Sequence, residues 1–339
     1  MSKIAKQGDR YTLTDADSIS TPLEKGTYLI KWDDRNMEFY LKKKEEMTLP
    51  SKLYGDYSDV KVWKKSFFDN GKQNMGIQLS GLKGTGKTIM AKLFCRECNL
   101  PVIIQTQPFH GAEYLDFISN KAWGSYILFV DEFEKVYRNM DLMESLLSIM
   151  DGNFTTSIIF LLTSNEKTIS PYMVNRLGRV KYGKNFGDLE RSVRKEVIED
   201  MLLDQSEENV LSIEKFFDKV NICTLDLLIN LIKEMNMLGE NALKCGERLN
   251  LKAERAMYQV FEVIKDKEYE CWDTEFEPDQ TNLRISRKST KYLPKSQQYA
   301  DSFHLYVKEE CKVVRKDKEI TITSDHHTLR LVKKDMTAY

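Results

Sequence analysis

Apolar positions follow three different rhythms along the chain. Tyr28, Ile30 and Trp32 alternate with polar residues, a polar Asp34-Arg35-Asn36 turn follows, and Phe39 and Leu41 alternate again, which predicts a β-hairpin over 27–44. Pro50 and Gly55 then precede Val60, Val62, Trp63 and Phe67, a linker running into a helix, and place a first boundary near Leu49. From Met75 the runs become continuously apolar: Gly76–Ser80, Val102–Gln105, Tyr126–Val130 and Ser157–Thr163. Continuous rather than alternating apolarity fits parallel strands covered on both faces, and strands separated by helical patterns predict an α/β layered sheet. After Gly187 the spacing turns helical. Leu189, Val193, Val197 and Met201 recur every fourth residue, and Leu225, Leu228, Ile229, Ile232 and Met235 follow Thr224, a good N-cap. Strand-like runs return at Tyr258–Ile264, Leu283–Ile285, Phe303–Val307, Glu319–Thr323 and Thr328–Val332. The expected organisation is therefore an N-terminal β-rich module (1–48), an α/β domain (49–185), a small helical domain (186–250) and a C-terminal β-rich module (251–339).

Composition narrows the function classes. Of 339 residues 41% are hydrophobic and 30% charged, too apolar for a disordered chain. The net charge of −1 supplies no global field toward nucleic acid or anionic lipid. No apolar run approaches the roughly 20 residues of a membrane span, and the start MSKIAKQGDR lacks the apolar core of a signal peptide, so a cytoplasmic location and no membrane partner are expected. Six scattered cysteines form no disulfide framework. Cys95 and Cys98 have CxxC spacing, but no second pair or nearby histidine completes a zinc site, so both are expected to pack beside a helix. Arg284–Lys295 is basic without an acidic residue and is either a phosphate-binding loop or a solvated one. His326-His327 is expected in a hairpin turn; Trp32, Trp63 and Trp123 as packing anchors; Trp272 in an acidic loop open to a partner.

The chemistry concentrates in the α/β segment. Gly81-Leu82-Lys83-Gly84-Thr85-Gly86-Lys87-Thr88 fits GxxxxGK[ST] between a predicted strand and a helical run. Gly81, Gly84, Thr85 and Gly86 let successive backbone N–H groups face phosphates, Lys87 reaches the β- and γ-phosphates, and the Thr88 hydroxyl ligates Mg²⁺. The strand Tyr126–Val130 ends abruptly in Asp131 and Glu132. Burying it delivers both acids to the sheet's carboxyl edge, Asp131 to hold the metal and Glu132 to activate the attacking water. A further apolar run, Ile158–Leu162, leads through Thr163-Ser164 to Asn165; if that strand lies between the other two, Asn165 contacts the γ-phosphate or the lytic water, the alternative being a cap of the following turn. Asn175-Arg176-Leu177-Gly178-Arg179 adds two permanently charged, fork-shaped guanidinium groups.

This ordered set resembles the AAA+ ATPases, specifically the AAA clade with paired arginine fingers. The wording of DEFEKVY, LLSIMDGNF, LLTSNE and NRLGRVKY is most similar to phage-encoded AAA+ ATPases and, more distantly, to the mitochondrial Rieske-protein translocase type. The resemblance spans roughly Leu49 to Gly239 and implies a P-loop NTPase AAA+ core with a helical lid. It also implies ATP and Mg²⁺ as ligands and a homo-oligomeric ring, usually a hexamer, in which Arg176 and Arg179 reach the nucleotide of the neighbouring protomer. A phage origin implies residence in the host cytoplasm. The interval from Lys87 to Asp131 is short for this clade. Family pore-loop aromatics follow the second strand; Phe109-His110-Gly111 and Phe117-Ile118 lie there, and Phe117 is favoured, with core packing beside Tyr114 and Ile118 as the alternative. Arg191 and Arg194 are candidates for a lid arginine. The leading expectation is Mg-dependent ATP hydrolysis that remodels or translocates a protein client. The alternatives are a nucleic-acid-directed motor or loader related to DNA replication or packaging, and an ATP-gated scaffold.

Overall fold

In the computed structural model the described residues are 3–14, 23–69, 71, 73–138, 140–151, 157–165, 179–220, 222–249, 256–276, 282–288, 302–307, 311–316 and 319–334. They divide into two compact units, 1–187 and 188–335.

The first unit is built on a nine-stranded sheet. Its parallel part comprises β5 (Met75–Gly81), β6 (Val102–Ile104), β7 (Tyr126–Val130), β8 (Ile158–Thr163) and β9 (Tyr182–Phe186). Strands β1 (Lys3–Gln7), β2 (Arg10–Thr14), β3 (Thr27–Asp33) and β4 (Glu38–Lys44) extend it as antiparallel neighbours, in the order β1-β2-β4-β3-β6-β7-β8-β5-β9. Side chains of β7 and β8 alternate between two separate cores. Tyr126, Leu128, Val130, Phe160 and Leu162 face one core, Ile127, Phe129, Ile159 and Leu161 the other. Burial on both faces is why these strands read as unbroken apolar runs. The helices α1 (Asp59–Asp69) and α2 (Lys87–Cys98) cover the second face with Trp63, Phe67, Met90 and Phe94. The first face is covered by α3 (Ala112–Ile118) and α5 (Met140–Asp151), with Tyr114, Leu146 and Leu147.

The hairpin expected over 27–44 is β3–β4, with Ile30 opposite Leu41. The stretch 1–48 does not form a unit of its own. Strand β3 pairs in parallel with β6, Tyr28 beside Ile103, and Tyr28, Ile30 and Leu41 share a core with Tyr114 and Trp123. An exposed edge of β6 would carry unpaired backbone groups, and the hairpin satisfies them. Phe117, favoured as a pore-loop aromatic, is buried between Phe39 and Trp123, at ring separations of 5.6 and 5.1 Å. Its α3 neighbours Tyr114 and Ile118 are buried too, so core packing is its role. Trp63 and Trp123 are buried anchors, as their setting suggested. Cys95 and Cys98 are buried on α2; burial pushes the Cys98 thiol up to about 12 and Cys95 further, leaving neither reactive.

Strand β9 was not foreseen. YGKNF lacks apolar alternation, and its place is fixed by pairing with β5. The pairing is tight: a Cβ at Gly76 would lie 1.8 Å from the Arg179 carbonyl oxygen, and one at Gly81 2.0 Å from that of Phe186.

The second unit begins with α6 (Arg191–Met201), α7 (Glu207–Val220), α8 (Leu225–Leu238) and α9 (Ala242–Arg248). Thr224 caps α8 as expected, accepting from the Leu227 N–H at 3.3 Å. Strands follow: β10 (Ala256–Ile264), β11 (Lys267–Glu270), β12 (Thr274–Phe276), β13 (Asn282–Ser286), β14 (Ser302–Tyr306), β15 (Lys312–Lys316), β16 (Glu319–Thr323) and β17 (Thr328–Lys333). Helical and β-rich parts are joined by an ion pair between Asp188 and Lys333. His326-His327 does lie in the turn between β16 and β17, but His327 Nδ1 also reaches the buried Glu262 carboxylate at 3.0 Å. Arg287 pairs with the same carboxylate at 2.9 and 3.0 Å. Trp272 is exposed, with the Lys288 ammonium 5.4 Å from its ring centre.

Burial alone would raise the Glu262 carboxyl, but hydrogen bonds from His327 and Arg287 outweigh it and hold the pKa at about 2. A carboxylate depressed from its ordinary 4.5 stabilises the fold fully above that value and loses the contribution as pH falls through about 2. Thermal unfolding of the whole chain should therefore show stability falling by about 3 kcal/mol across this acid window. Glu262→Gln should be less stable at neutral pH and lack that slope.

Candidate functional site

The P-loop leaves β5 at Gly81, where φ is +128° and the passing β9 backbone leaves no room for a side chain, so glycine is required on two counts. Gly84 and Gly86 also have positive φ, and Gly86 caps α2. The loop is braced by the Thr85 hydroxyl donating to the Leu82 carbonyl at 2.7 Å. Lys87 is buried, its ammonium donating to the carbonyls of Gly81 at 2.8 Å and Leu82 at 2.6 Å. Burial lowers its pKa against the opposing pull of Glu134, Asp131 and Glu132.

Sheet order puts β8 between β5 and β7, the condition on which a role for Asn165 depended. Thr88 on the P-loop donates to Asp131 Oδ1 at 3.2 Å, across 43 residues of sequence. Thr163, the last residue of β8, donates to the same Oδ1 at 2.5 Å and accepts the Glu132 backbone N–H at 2.8 Å. One hydroxyl thus holds the Asp131 carboxylate and the Glu132 backbone. The helix α4 (Phe133–Val136) starts immediately after Glu132, which is held in the left-handed region at φ +49°, ψ +55°. A residue with a side chain adopts that conformation only where its surroundings enforce it, and such strain gathers at functional sites.

Asn165 turns its side-chain amide to Glu132 Oε1 at 2.5 Å, and its backbone N–H donates to Glu134 Oε1 at 3.1 Å. Lys135 holds Glu132 Oε2 at 2.6 Å. Hydrogen bonds from Lys135 first and Asn165 second pull the Glu132 carboxyl below the usual carboxylate range. Glu134 Oε2 is buried without a hydrogen-bond partner among the described residues. Sequence reading missed Thr163, Glu134 and Lys135; a threonine closing an apolar run and two charges after the acid pair were the available signals.

The donor set suits a small hard cation. A hydroxyl and a carboxylate converge within 3.2 Å, both oxygen ligands of the kind Mg²⁺ takes from a protein while phosphates and water complete its shell. Among the described residues no group of three His, Cys, Asp or Glu side chains could hold a metal by themselves.

Arg176 lies outside the described residues. Arg179, expected to reach a neighbouring protomer, is held by Asp151 of its own chain, with Nε at 2.8 Å from both carboxylate oxygens and the terminal nitrogen at 2.5 Å. Of the lid candidates, Arg194 donates to Glu214 at 3.0 Å within the second unit. Thr163→Val keeps the volume of the strand end but removes the hydroxyl that holds the Asp131 carboxylate and the Glu132 backbone. It should lower kcat about tenfold or more with the fold retained, checked by steady-state ATPase assay beside thermal unfolding.

Residues 77–186 match the ATPase family associated with various cellular activities (AAA). No curated protein matches the chain. Solved structures of RuvB from Thermotoga maritima are among those to which the chain is similar. The Holliday junction branch migration motor is 17% identical over 60% of this chain and 73% of that one, with a TM-score of 0.43. A single-substitution variant is 17% identical over 62% and 74%, with the same TM-score. The P-loop, the acid pair and Asn165, gathered at one edge of the sheet, all lie within the segment 77–186 that matches the AAA ATPase family.

Proposed function

We propose that the chain is a Mg-dependent ATP hydrolase that works as an oligomeric ring, with Glu132 as the base and Arg176 supplied to the site of a neighbouring copy. The observation that carries this reading is the convergence of Thr88, Asp131, Thr163, Glu132 and Asn165, joined by hydrogen bonds at one end of the parallel sheet. Bound at Thr88 and Asp131, Mg²⁺ would neutralise charge on the phosphates. Lys87 and the P-loop N–H groups hold the triphosphate; Asn165 sets the Glu132 carboxylate. Glu132 takes a proton from water as the water oxygen bonds to the γ-phosphorus, and the bond to the bridging oxygen breaks with its electron pair leaving on ADP. Arg176 is the better finger candidate because Arg179 would first have to leave Asp151. Phosphate release then removes contacts across the protomer interface and changes its angle.

The reading favours a protein client over nucleic acid. Within the basic stretch, Arg287 is buried against Glu262 and Lys288 pairs with Glu270 at 2.7 Å, so these two charges serve the fold.

Glu132→Gln should keep ATP binding and lower kcat by about 10²–10⁴; normal turnover in that variant removes the assigned base. Arg176→Ala should lower turnover by about 10³–10⁵ in the homo-oligomer, and mixing it with Lys87→Ala protomers should recover part of it. Specific activity should rise with protein concentration. Stimulation by DNA that vanishes at high salt would instead favour a nucleic-acid motor.

A further inference from the structure

Between the β3–β4 hairpin and α3 lies a groove of about 260 Å³, none of whose lining residues belongs to the nucleotide site. Trp32, Phe39 and Phe117 give it an apolar wall. Phe39 is the hub, its ring 4.7 Å from Trp32 and 5.6 Å from Phe117, and Trp32 stands opposite it in the β3–β4 ladder. Trp63 and Trp123 are buried anchors, but Trp32 is only partly buried. Negative charge supplies the rest of the lining. Glu113 and Asp116 stand three residues apart on α3, and Glu38 joins them from β4. The lining contains no lysine, arginine or histidine. Glu38 shares Arg10 with Asp33, at 2.8 and 2.7 Å, so one cation serves two acids there. Among the described residues Glu113 and Asp116 have no ion-pair partner.

We propose that this groove receives an arginine side chain of a partner polypeptide. A long cationic side chain matches both parts of the lining, its stem covering apolar surface and its head lying against rings and carboxylates. Arginine fits better than lysine because its planar, weakly hydrated guanidinium stacks on aromatic faces and forks onto carboxylates. A metal ion fits worse, since among the described residues no three His, Cys, Asp or Glu side chains could hold one. A cofactor fits worse because such sites occupy roughly 300–1,000 Å³. Nucleic acid would set phosphates against carboxylates. Met37, which also lines the groove and is 70% exposed, adds a thioether that adapts to residues flanking the arginine. The proposal is independent of whether the chain hydrolyses ATP.

The test is fluorine NMR of the full chain with fluorotryptophan at its 4 tryptophans, the Trp32 resonance being assigned by its loss in Trp32→Phe. The titrants are acetyl-Gly-Arg-Gly-amide and the same peptide with citrulline, which keeps the shape of arginine without its charge. The arginine peptide should shift Trp32 saturably with a Kd of about 1–10 mM, leaving exposed Trp272 unmoved. Citrulline should weaken binding about fivefold or more, as should the double variant Glu113→Gln, Asp116→Asn, whose unchanged Trp63 and Trp123 resonances report an intact fold. Were the double variant not to fold, the citrulline comparison on the unaltered chain decides alone. A Trp32 resonance that ignores the arginine peptide, or answers citrulline equally, overturns the proposal. So does one that moves with protein concentration alone, which assigns the groove to a second copy, or with duplex DNA in place of the peptide.

Discussion

A pair of carboxylates at the end of a strand buried on both faces has to be oriented by protein, because the strand that delivers them is shut away from water. Here the orientation comes from Thr163. Its hydroxyl donates to Asp131 and accepts from the Glu132 backbone, so a single side chain on β8 sets the acid that meets the P-loop hydroxyl and the acid next to it. This works only because β8 lies between β5 and β7.

Around this centre the polar groups form one connected set. Glu134 fixes the Asn165 backbone, the Asn165 amide holds one oxygen of Glu132, and Lys135 holds the other. Hydrogen bonds of this kind are charge-assisted and directional, so they specify where a carboxylate points as well as stabilising its ionised form. The left-handed backbone of Glu132 fits the same account, since its N–H and both side-chain oxygens are each restrained by a different residue. In the second unit, Glu262 shows the purely structural version of this chemistry. It is a buried acid satisfied by Arg287 and His327.

The close approach of β9 to β5 reshapes the meaning of two glycines. Gly81 belongs to the phosphate loop by its place in the motif, yet the Phe186 carbonyl would exclude a side chain there even without a ligand to accommodate. Gly76, at the other end of the strand, has no motif to announce it and is required by the Arg179 carbonyl. Just ahead of β9, the Arg179 backbone packs against β5 at Gly76, and its guanidinium pairs with Asp151.

Read alone, the sequence determined the parallel strands β5 to β8, the P-loop, the acid pair and the asparagine, because each depends on local periodicity or on spacing within a few residues. The capped helix α8 and five of the C-terminal strands were legible for the same reason. Tertiary structure decided what depends on residues far apart in the chain: the joining of the N-terminal hairpin to β6, the existence of β9, the burial of Phe117, and the intrachain pairing of Arg179. It also decided that Thr163 holds both the Asp131 carboxylate and the Glu132 backbone. A hydroxyl's partner is chosen by which strand lies beside it, and strand order is a property of the folded sheet that no local pattern encodes.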